Sequence, residues 1–302
     1  MKTKTIEKLI NQKFSKFLAS IKDTKVQKLV QKNSLISGGC IASMLLNDKV
    51  NDYDIYFTNK ETVLAVANYY AQLYKVANPE LDVVVVDIDN LSDESDIQYY
   101  HEHGLKEAGR VSVFCKGQKY EVADEEESVK VVEIENSEEK YEVLFMSPNA
   151  ISLSDKIQII LRFYGNAKEI HTNYDYVHCT NYWLSYDTKL YLNQPALEAI
   201  LAKELIYVGS KYPIASVLRT RKFINRGWTI SAGAYLKMCY QISKLNLDDI
   251  SVLEDQLVGV DIAYFSVLIE ALKAARQAHK NEGKTFNLSY EYISEIVDRI
   301  FY

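Results

Sequence analysis

Two aspartates separated by a single residue, Asp52 and Asp54, are the side chains with the clearest chemical potential. If Tyr53–Phe57 forms a strand, alternate residues share one face, so the two carboxylates point the same way. Adjacent carboxylates repel each other unless a cation lies between them. Oxygen ligands favour Mg²⁺ or Mn²⁺, which share their coordination shell with substrate phosphates. The pair predicts a metal site for phosphate chemistry, and the alternative is a solvated turn before a strand.

Gly38 and Gly39 end a predicted short strand, Ser34–Ser37, and precede a predicted helix over Cys40–Leu46. Glycine lets the backbone turn sharply and approach a ligand, and a helix N-terminus offers unpaired N–H groups to an anion. Gly39 precedes Asp52 by thirteen residues. A phosphate-approaching turn beside two carboxylates is what nucleotidyl transfer requires, because two ions about 4 Å apart hold the attacking and leaving oxygens.

This segment resembles the head of the polymerase-β-like nucleotidyltransferases, nearest to bacterial poly(A) polymerases and CCA-adding enzymes. The resemblance implies a Mg²⁺ or Mn²⁺ cofactor and a nucleoside triphosphate such as ATP, whose NMP moves to a hydroxyl with release of pyrophosphate. It departs at Ala42-Ser43, where those enzymes carry Arg-Asp. The acceptor is therefore not carried over: an RNA or tRNA 3′ end is favoured, and a protein is the alternative. We expect Ser43 to assist Gly38 and Gly39 at a phosphate.

A third carboxylate would complete such a site by holding a metal or accepting a proton. Asp175, in Asn173-Tyr-Asp-Tyr-Val-His-Cys, follows the predicted strand 156–162 and sits where the family has an Arg-Arg-Asp strand. We expect it on a strand of its own over Tyr174–Cys179, beside Asp52 and Asp54. Asp82, in Leu81-Asp-Val-Val-Val, remains the competing candidate.

A basic segment follows in 213–228, similar to the family helix whose basic residues reach the incoming nucleotide. Arg219 and Lys222 are three residues apart and share a helix face, so we expect them to bind the triphosphate. The alternative is a solvated basic face. Between Lys203 and Arg226 there are six basic residues and one acid, although the chain carries a net charge of −6. A local basic site suits a phosphorylated small molecule better than a long polyanion.

The expected fold is α+β, with a mixed sheet in a nucleotidyltransferase-fold head over residues 1–194 and an all-helical domain over 195–302. Apolar periodicity predicts N-terminal helices within 1–33 and a helix over Glu61–Tyr74. Short apolar runs predict strands at Val83–Val86, Val111–Cys115, Val129–Ile134, Tyr141–Phe145 and Ile157–Leu161. The acidic stretch after Ala123 is expected to be a solvated loop.

Four widely spaced cysteines, no CxxC pair and no apolar run of membrane length indicate a protein of a reducing compartment without a membrane partner. His101, His103, His171 and His178 match no zinc-ligand spacing. The whole chain also resembles nucleotidyltransferase-fold proteins of tailed bacteriophages, which implies the cytoplasm, or the host cytoplasm for a phage protein. The rival to an enzyme is a catalytically silent nucleotide-binding or virion-associated protein on the same fold.

Overall fold

The computed structural model describes residues 1–102, 107–116 and 141–247, with Val252 and Gln256. The helices are α1 Thr3–Ser20, α2 Thr24–Asn33, α3 Gly39–Leu46, α4 Lys60–Ala77, α5 Glu94–Glu102, α6 Ala167–His171, α7 Gln194–Ala202, α8 Pro213–Ile224 and α9 Ala232–Ile242. The strands are β1 Ser34–Ser37, β2 Tyr53–Phe57, β3 Asp82–Asp87, β4 Val111–Lys116, β5 Val143–Met146, β6 Ala150–Leu153, β7 Ile157–Tyr164, β8 Tyr182–Leu184, β9 Lys189–Tyr191, β10 Glu204–Leu205 and β11 Thr229–Ile230.

Seven strands form one mixed sheet in the order β5-β6-β7-β2-β1-β8-β9. Only β2 and β7 run parallel, and every other neighbouring pair is antiparallel. The sheet brings Ser37 of β1 and Gln158 of β7 into register on either side of Asp54. The predicted α+β class with a mixed sheet is confirmed.

One face of the sheet holds the main core. Ile6, Ile10 and Phe17 of α1 are fully buried there, with Val63 and Val66 of α4. These residues recur every three to four positions, so each helix buries a single stripe. The opposite face carries a smaller cluster of Leu35, Tyr56 and Ile170. Asp54 is two residues before Tyr56 on β2, so the carboxylate lies on this second face.

Most predicted elements are present with small shifts at their ends, but one prediction is wrong. Residues 174–179 form no strand: a short 3₁₀ turn covers Val177–Cys179, and the only pairing recorded for this stretch is an isolated bridge between Tyr176 and Tyr207. The sequence reasoning also missed β6, β8 and β9. The predicted strand Val129–Ile134 and the acidic loop after Ala123 lie outside the described residues, apart from the last two positions of the acidic stretch.

A second core joins the head to the helices that follow. Ala42 of α3 and Tyr176 pack with Leu205, Trp228 and Met238. The described part of 195–302 is mainly helical and adds the two-residue strands β10 and β11, which pair in parallel. The predicted boundary between Asn193 and Pro195 stays a prediction; Asn193 is the N-cap residue directly before α7. Within the described ranges, no helix is both long and apolar enough to cross a bilayer.

His178 is fully buried in this second core, with its ring 4.4 Å from Trp228 and 4.7 Å from Phe223, centroid to centroid. Neither ring nitrogen has a hydrogen-bond partner among the described residues. Burial lowers the pKa of His178 to about 3. The imidazole is therefore neutral in the folded protein at any pH near 7.

This burial predicts an acid-sensitive fold. The pKa of His178 is lower in the folded state than the value of about 6.5 in an unfolded chain, so stability is complete above pH 6.5 and falls as the pH drops toward 3. We expect this residue alone to remove about 2 kcal/mol of unfolding free energy between pH 7 and pH 5.

Urea denaturation of the wild type and of His178→Phe at both pH values measures this effect. The variant should lose about 2 kcal/mol less on acidification, because phenylalanine fits the aromatic cluster and binds no proton. His171 is present in both proteins and cancels in the comparison. Equal losses in the two proteins would show that His178 does not govern the acid response.

Candidate active site

The glycine turn between β1 and α3 is the tightest feature of the site. Gly38 has φ +94°, a conformation that side chains with a Cβ rarely adopt. A Cβ added there would lie 2.8 Å from Oδ2 of Asp54. The Gly38 N–H donates to the carbonyl oxygen of Cys179 at 3.1 Å, which fixes the turn. The backbone of the turn thus lies directly against the carboxylate of Asp54.

Gly39 differs from its neighbour. It is the first residue of α3, and nothing lies within 4 Å of the position that its Cβ would occupy. The first N–H groups of a helix have no partner within the helix, which makes them potential donors to an anion. The turn therefore combines a close approach to Asp54 at Gly38 with room for a ligand at Gly39.

The two aspartates occupy the beginning of β2. Asp52 is exposed and immediately precedes the strand, whereas Asp54 lies within it and is half-buried. The alternation along β2 places both side chains on the face of the sheet opposite the main core. An exposed carboxylate beside a half-buried one suits a site that is open to solvent and substrate.

Polar and aromatic side chains lie near Asp54 on the same face of the sheet, and they were not predicted from the sequence. The Ser37 hydroxyl, across the sheet from Asp54, lies 2.9 Å from Nε2 of His171. Burial lowers the pKa of His171 to about 4, so this ring is neutral at pH 7. The rings of Tyr174 and Tyr56 lie 6.1 Å apart on the same face. A signal existed for Tyr56, which continues the alternation of Asp52 and Asp54.

Asp175 is 5% exposed and is held by α8. Its Oδ2 accepts a hydrogen bond from the Ser216 hydroxyl at 2.9 Å and pairs with Nη1 of Arg219 at 3.2 Å. Two of the predicted site residues, Asp175 and Arg219, are therefore in direct contact. The structure does not place Asp175 on a strand of the sheet beside Asp54, which corrects the expectation from the sequence.

The three carboxylates nevertheless act on one shared neighbour, the thiol of Cys179. Desolvation and then the charge of Asp175 raise the pKa of the Cys179 thiol, Arg219 opposes this, and Asp54 and Asp52 raise the pKa further. Charges separated by more than about 10 Å are largely screened at ordinary salt. Cys179 also binds Gly38 through its carbonyl oxygen. The glycine turn, the aspartate pair and the Asp175–Arg219 pair thus lie around Cys179, and together they form the candidate site.

The residues present fit a magnesium ion that completes its shell with substrate oxygens. Asp52 and Asp54 supply hard oxygen ligands on one face, and Gly39 leaves space next to them. In the described ranges, no three side chains of His, Cys, Asp or Glu form a group ready to hold a metal. Mg²⁺ is usually bound by one or two carboxylates together with phosphates and waters.

The other predicted site residues occupy different positions. Ser43 is half-buried on α3, in the helical turn that follows Gly39. Lys222 is exposed on α8, three residues beyond Arg219. Asp82 begins β3, which pairs only with β4 in a separate two-stranded sheet. Ala42 is 4% exposed in the second core, where the charge of an arginine would be buried among apolar side chains.

Comparison with known proteins places the chain in a family. The sequence profile of the Gabija anti-defense 2 (Gad2) family matches residues 8–203. This is more than half of the 302 residues, so the chain belongs to the Gabija anti-defense 2 family. No curated protein sequence matches the chain significantly.

Among solved structures, the chain is distantly similar to a tRNA-processing enzyme with CTP, at 11% identity and a TM-score of 0.38. It is also similar to the Bacillus stearothermophilus CCA-adding enzyme in complex with CTP, at 12% identity and a TM-score of 0.37. The similarity covers 91% and 85% of this chain but only 57% and 51% of those proteins. The Thermotoga maritima CCA-adding enzyme complexed with tRNA gives 12% identity and a TM-score of 0.34, over 94% and 68% of the two chains.

The two glycines provide a matched test of the turn. We expect Gly38→Ala to lower the free energy of unfolding by about 2 kcal/mol. The new methyl group would collide with the Asp54 carboxylate, and alanine would have to adopt the positive φ of this position. Gly39→Ala should leave stability unchanged or raise it by up to about 1 kcal/mol, since this position is helical and open. Urea denaturation measures both. Equal effects of the two substitutions would contradict the geometry described for Gly38.

Proposed function

We propose that this member of the Gabija anti-defense 2 family is a metal-dependent nucleotidyltransferase. It would move an NMP from a nucleoside triphosphate to a hydroxyl of an acceptor and release pyrophosphate. An RNA or tRNA 3′ end is the favoured acceptor, and a protein hydroxyl is the alternative. The observation that carries the proposal is the 2.8 Å approach between the Cβ position of Gly38 and Asp54, beside the open N-terminus of α3.

Each part of the cleft has a role in the proposed reaction. The backbone of Gly38 and Gly39 would receive the β- and γ-phosphates, with the hydroxyl of Ser43 assisting one helical turn away. Asp52 and Asp54 would hold Mg²⁺ or Mn²⁺, which would supply charge neutralisation at the transferring phosphate. Arg219 and Lys222 would neutralise the rest of the triphosphate. The acceptor oxygen bonds to the α-phosphorus as the bond from that phosphorus to the β-phosphate oxygen breaks, and the acceptor proton passes to a carboxylate or water.

The contacts of Asp175 favour a positioning role within this scheme. Its Oδ2 receives both the Ser216 hydroxyl and the Arg219 guanidinium. A half-buried arginine held in this way is pre-organised to bind phosphate, which reduces the entropy lost when the ligand binds. Ligation of a metal by Asp175 stays a prediction from the sequence.

The alternative is a nucleotide-binding protein without turnover, as the sequence left open. The pairing of Asp175 with Arg219 favours this alternative over a three-carboxylate catalytic centre, because it neutralises the third carboxylate without a metal. Virion association would be compatible with such a binding role. Asp52 and Asp54 favour the enzyme, since binding alone does not require two adjacent carboxylates.

Transfer of label separates the two functions. The protein is incubated with each α-³²P-labelled nucleoside triphosphate, Mg²⁺ or Mn²⁺, and either total RNA or total protein as acceptor. We expect label in one acceptor class, and we expect Asp52→Asn or Asp54→Asn to reduce it by about 100-fold or more, because each removes a charged group at the reacting phosphate. Asp96→Asn, an exposed change on α5, is the matched control and should keep full activity.

Binding without label transfer to any acceptor, together with equal behaviour of the wild type and the Asp54→Asn variant, would favour the silent protein. Equilibrium binding of the triphosphate with and without Mg²⁺ identifies this outcome. Only metal-dependent transfer that requires both aspartates supports the enzyme.

The role of Asp175 has a separate test. We expect Asp175→Asn to lower the free energy of unfolding by about 2 kcal/mol, because the Ser216 hydroxyl and the half-buried Arg219 guanidinium lose their charged hydrogen-bond acceptor. If Asp175 positions Arg219, then Asp175→Asn and Arg219→Gln should weaken triphosphate binding similarly, and the double variant should be no weaker than either. Additive losses, or a raised Mg²⁺ requirement in Asp175→Asn alone, would instead assign Asp175 to the metal.

A further inference from the structure

Arg162, on β7, is the most unusual charged residue outside the site described above. It is 9% exposed, yet within the part of the chain that the structure describes its Nε and Nη1 have no hydrogen-bond partner. Its Nη2 lies 3.6 Å from Oε2 of Glu107, which is beyond hydrogen-bond distance. A guanidinium carries five N–H donors, and burying them without acceptors costs free energy. Such an arrangement is expected where a ligand supplies the missing acceptors.

The surroundings of Arg162 hold its guanidinium in place. The central carbon lies 4.7 Å from the ring centre of Tyr212 and 5.4 Å from that of Phe163. Stacking of this kind stabilises the cation and fixes its plane without using its N–H groups. Tyr212 is the N-cap residue directly before α8, and α8 carries Ser216 and Arg219. Arg162 therefore lies where the sheet meets the helix that lines the proposed nucleotide cleft.

Positive charge is concentrated here. Desolvation raises the pKa of Glu107, but its hydrogen bond to Lys211 and the charges of Arg162, Lys211 and Arg110 lower it below its ordinary value. Lys211 Nζ lies 3.0 Å from Oε1 of Glu107. Three cations, Arg110, Arg162 and Lys211, thus interact electrostatically with the Glu107 carboxylate. Glu107 and Lys211 are 45% and 56% exposed in their side chains, so they form the outer, solvent-accessible side of the cluster.

The position relative to Asp54 suits a second phosphate. Gln158 lies directly across from Asp54, and Arg162 is four residues farther along β7. Four residues of a regular strand would span about 13 Å, but β7 changes register between the partners of Ile55 and Phe57. Phe57, three residues beyond Asp54, already lies opposite Tyr164. Arg162 is therefore about two to three strand residues, or roughly 7 to 10 Å, along the sheet from Asp54, which suits a neighbouring phosphate of the same substrate complex.

We propose that Arg162 and Lys211 form a phosphate-binding site, in which Glu107 competes for the cations when no ligand is bound. Within the proposed nucleotidyltransferase function, on which the substrate assignment rests, the phosphate belongs either to the acceptor backbone or to the far end of the triphosphate. Phosphate fits the site because its oxygens can accept from Nε and a terminal nitrogen of one guanidinium at once.

Equilibrium binding of inorganic tripolyphosphate without metal, at low salt, tests the site independently of nucleotide chemistry. We expect Arg162→Gln to weaken binding by about 10-fold or more, and Arg162→Lys by less, because lysine keeps the charge but loses the paired donors. Lys211→Gln should weaken it about 3-fold, as a more exposed charge contributes less. Lys168→Gln, an exposed change on α6, is the control for the loss of one positive charge.

We expect the opposite effect, tighter binding, from Glu107→Gln. Because the Glu107 side chain is exposed, this substitution is less prone to unfold the protein than a change of the buried Arg162. It removes the competing carboxylate, so tripolyphosphate should bind about 3-fold or more tightly. Unchanged or weaker binding in Glu107→Gln, or equal effects of Arg162→Gln and Lys168→Gln in folded proteins, would overturn the proposal. Circular dichroism establishes that each variant is folded.

The source of the phosphate is identified by repeating the measurement with ATP, AMP and a single-stranded RNA oligonucleotide. Loss of ATP binding but not of RNA binding in Arg162→Gln assigns the site to the triphosphate, and the reverse assigns it to the acceptor. Dependence of Mg-ATP binding on Asp52 and Asp54 tests the proposed function separately. The phosphate site at Arg162 and the proposed nucleotidyltransferase function can therefore fail independently of each other.

Discussion

The close approach of Gly38 to Asp54 is the constraint on which the arrangement of the cleft depends. With 2.8 Å between the Cβ position and Oδ2, only glycine leaves the carboxylate in its place. The turn is followed at once by α3, whose first N–H groups have no partner within the helix. Its own N–H is bound by Cys179, which ties the segment after Asp175 to the same turn. The backbone, more than any side chain, thus brings the acidic groups together.

Electrostatics then decide what the cleft can bind. Asp52, Asp54 and Asp175 concentrate negative charge around Cys179, while Arg219 offsets the charge of Asp175. A polyanionic substrate would be repelled by the aspartates unless a divalent cation accompanied it. The cations of α8 and of the Arg162 cluster show how a chain of net charge −6 can still concentrate positive charge locally.

The sequence predicted the residues that depend on local geometry. The strand Ser34–Ser37, the glycine turn and the strand Tyr53–Phe57 all follow from short-range patterns of glycine and alternation. The surroundings of Asp175 depended on contacts with α8, more than 40 positions away, and no local pattern contains them. The same is true of the cation cluster around Arg162, since Arg162, Glu107 and Lys211 are widely separated in the chain.

A structure of the protein with Mn²⁺ and a non-hydrolysable nucleoside triphosphate tests the central claim most directly. If Asp52 and Asp54 hold the metal, an anomalous manganese peak will lie about 2.1 Å from carboxylate oxygens of both residues. Phosphate oxygens will then lie against the backbone of Gly38 and Gly39. A triphosphate bound elsewhere, or bound at the turn without any manganese on these aspartates, would contradict it.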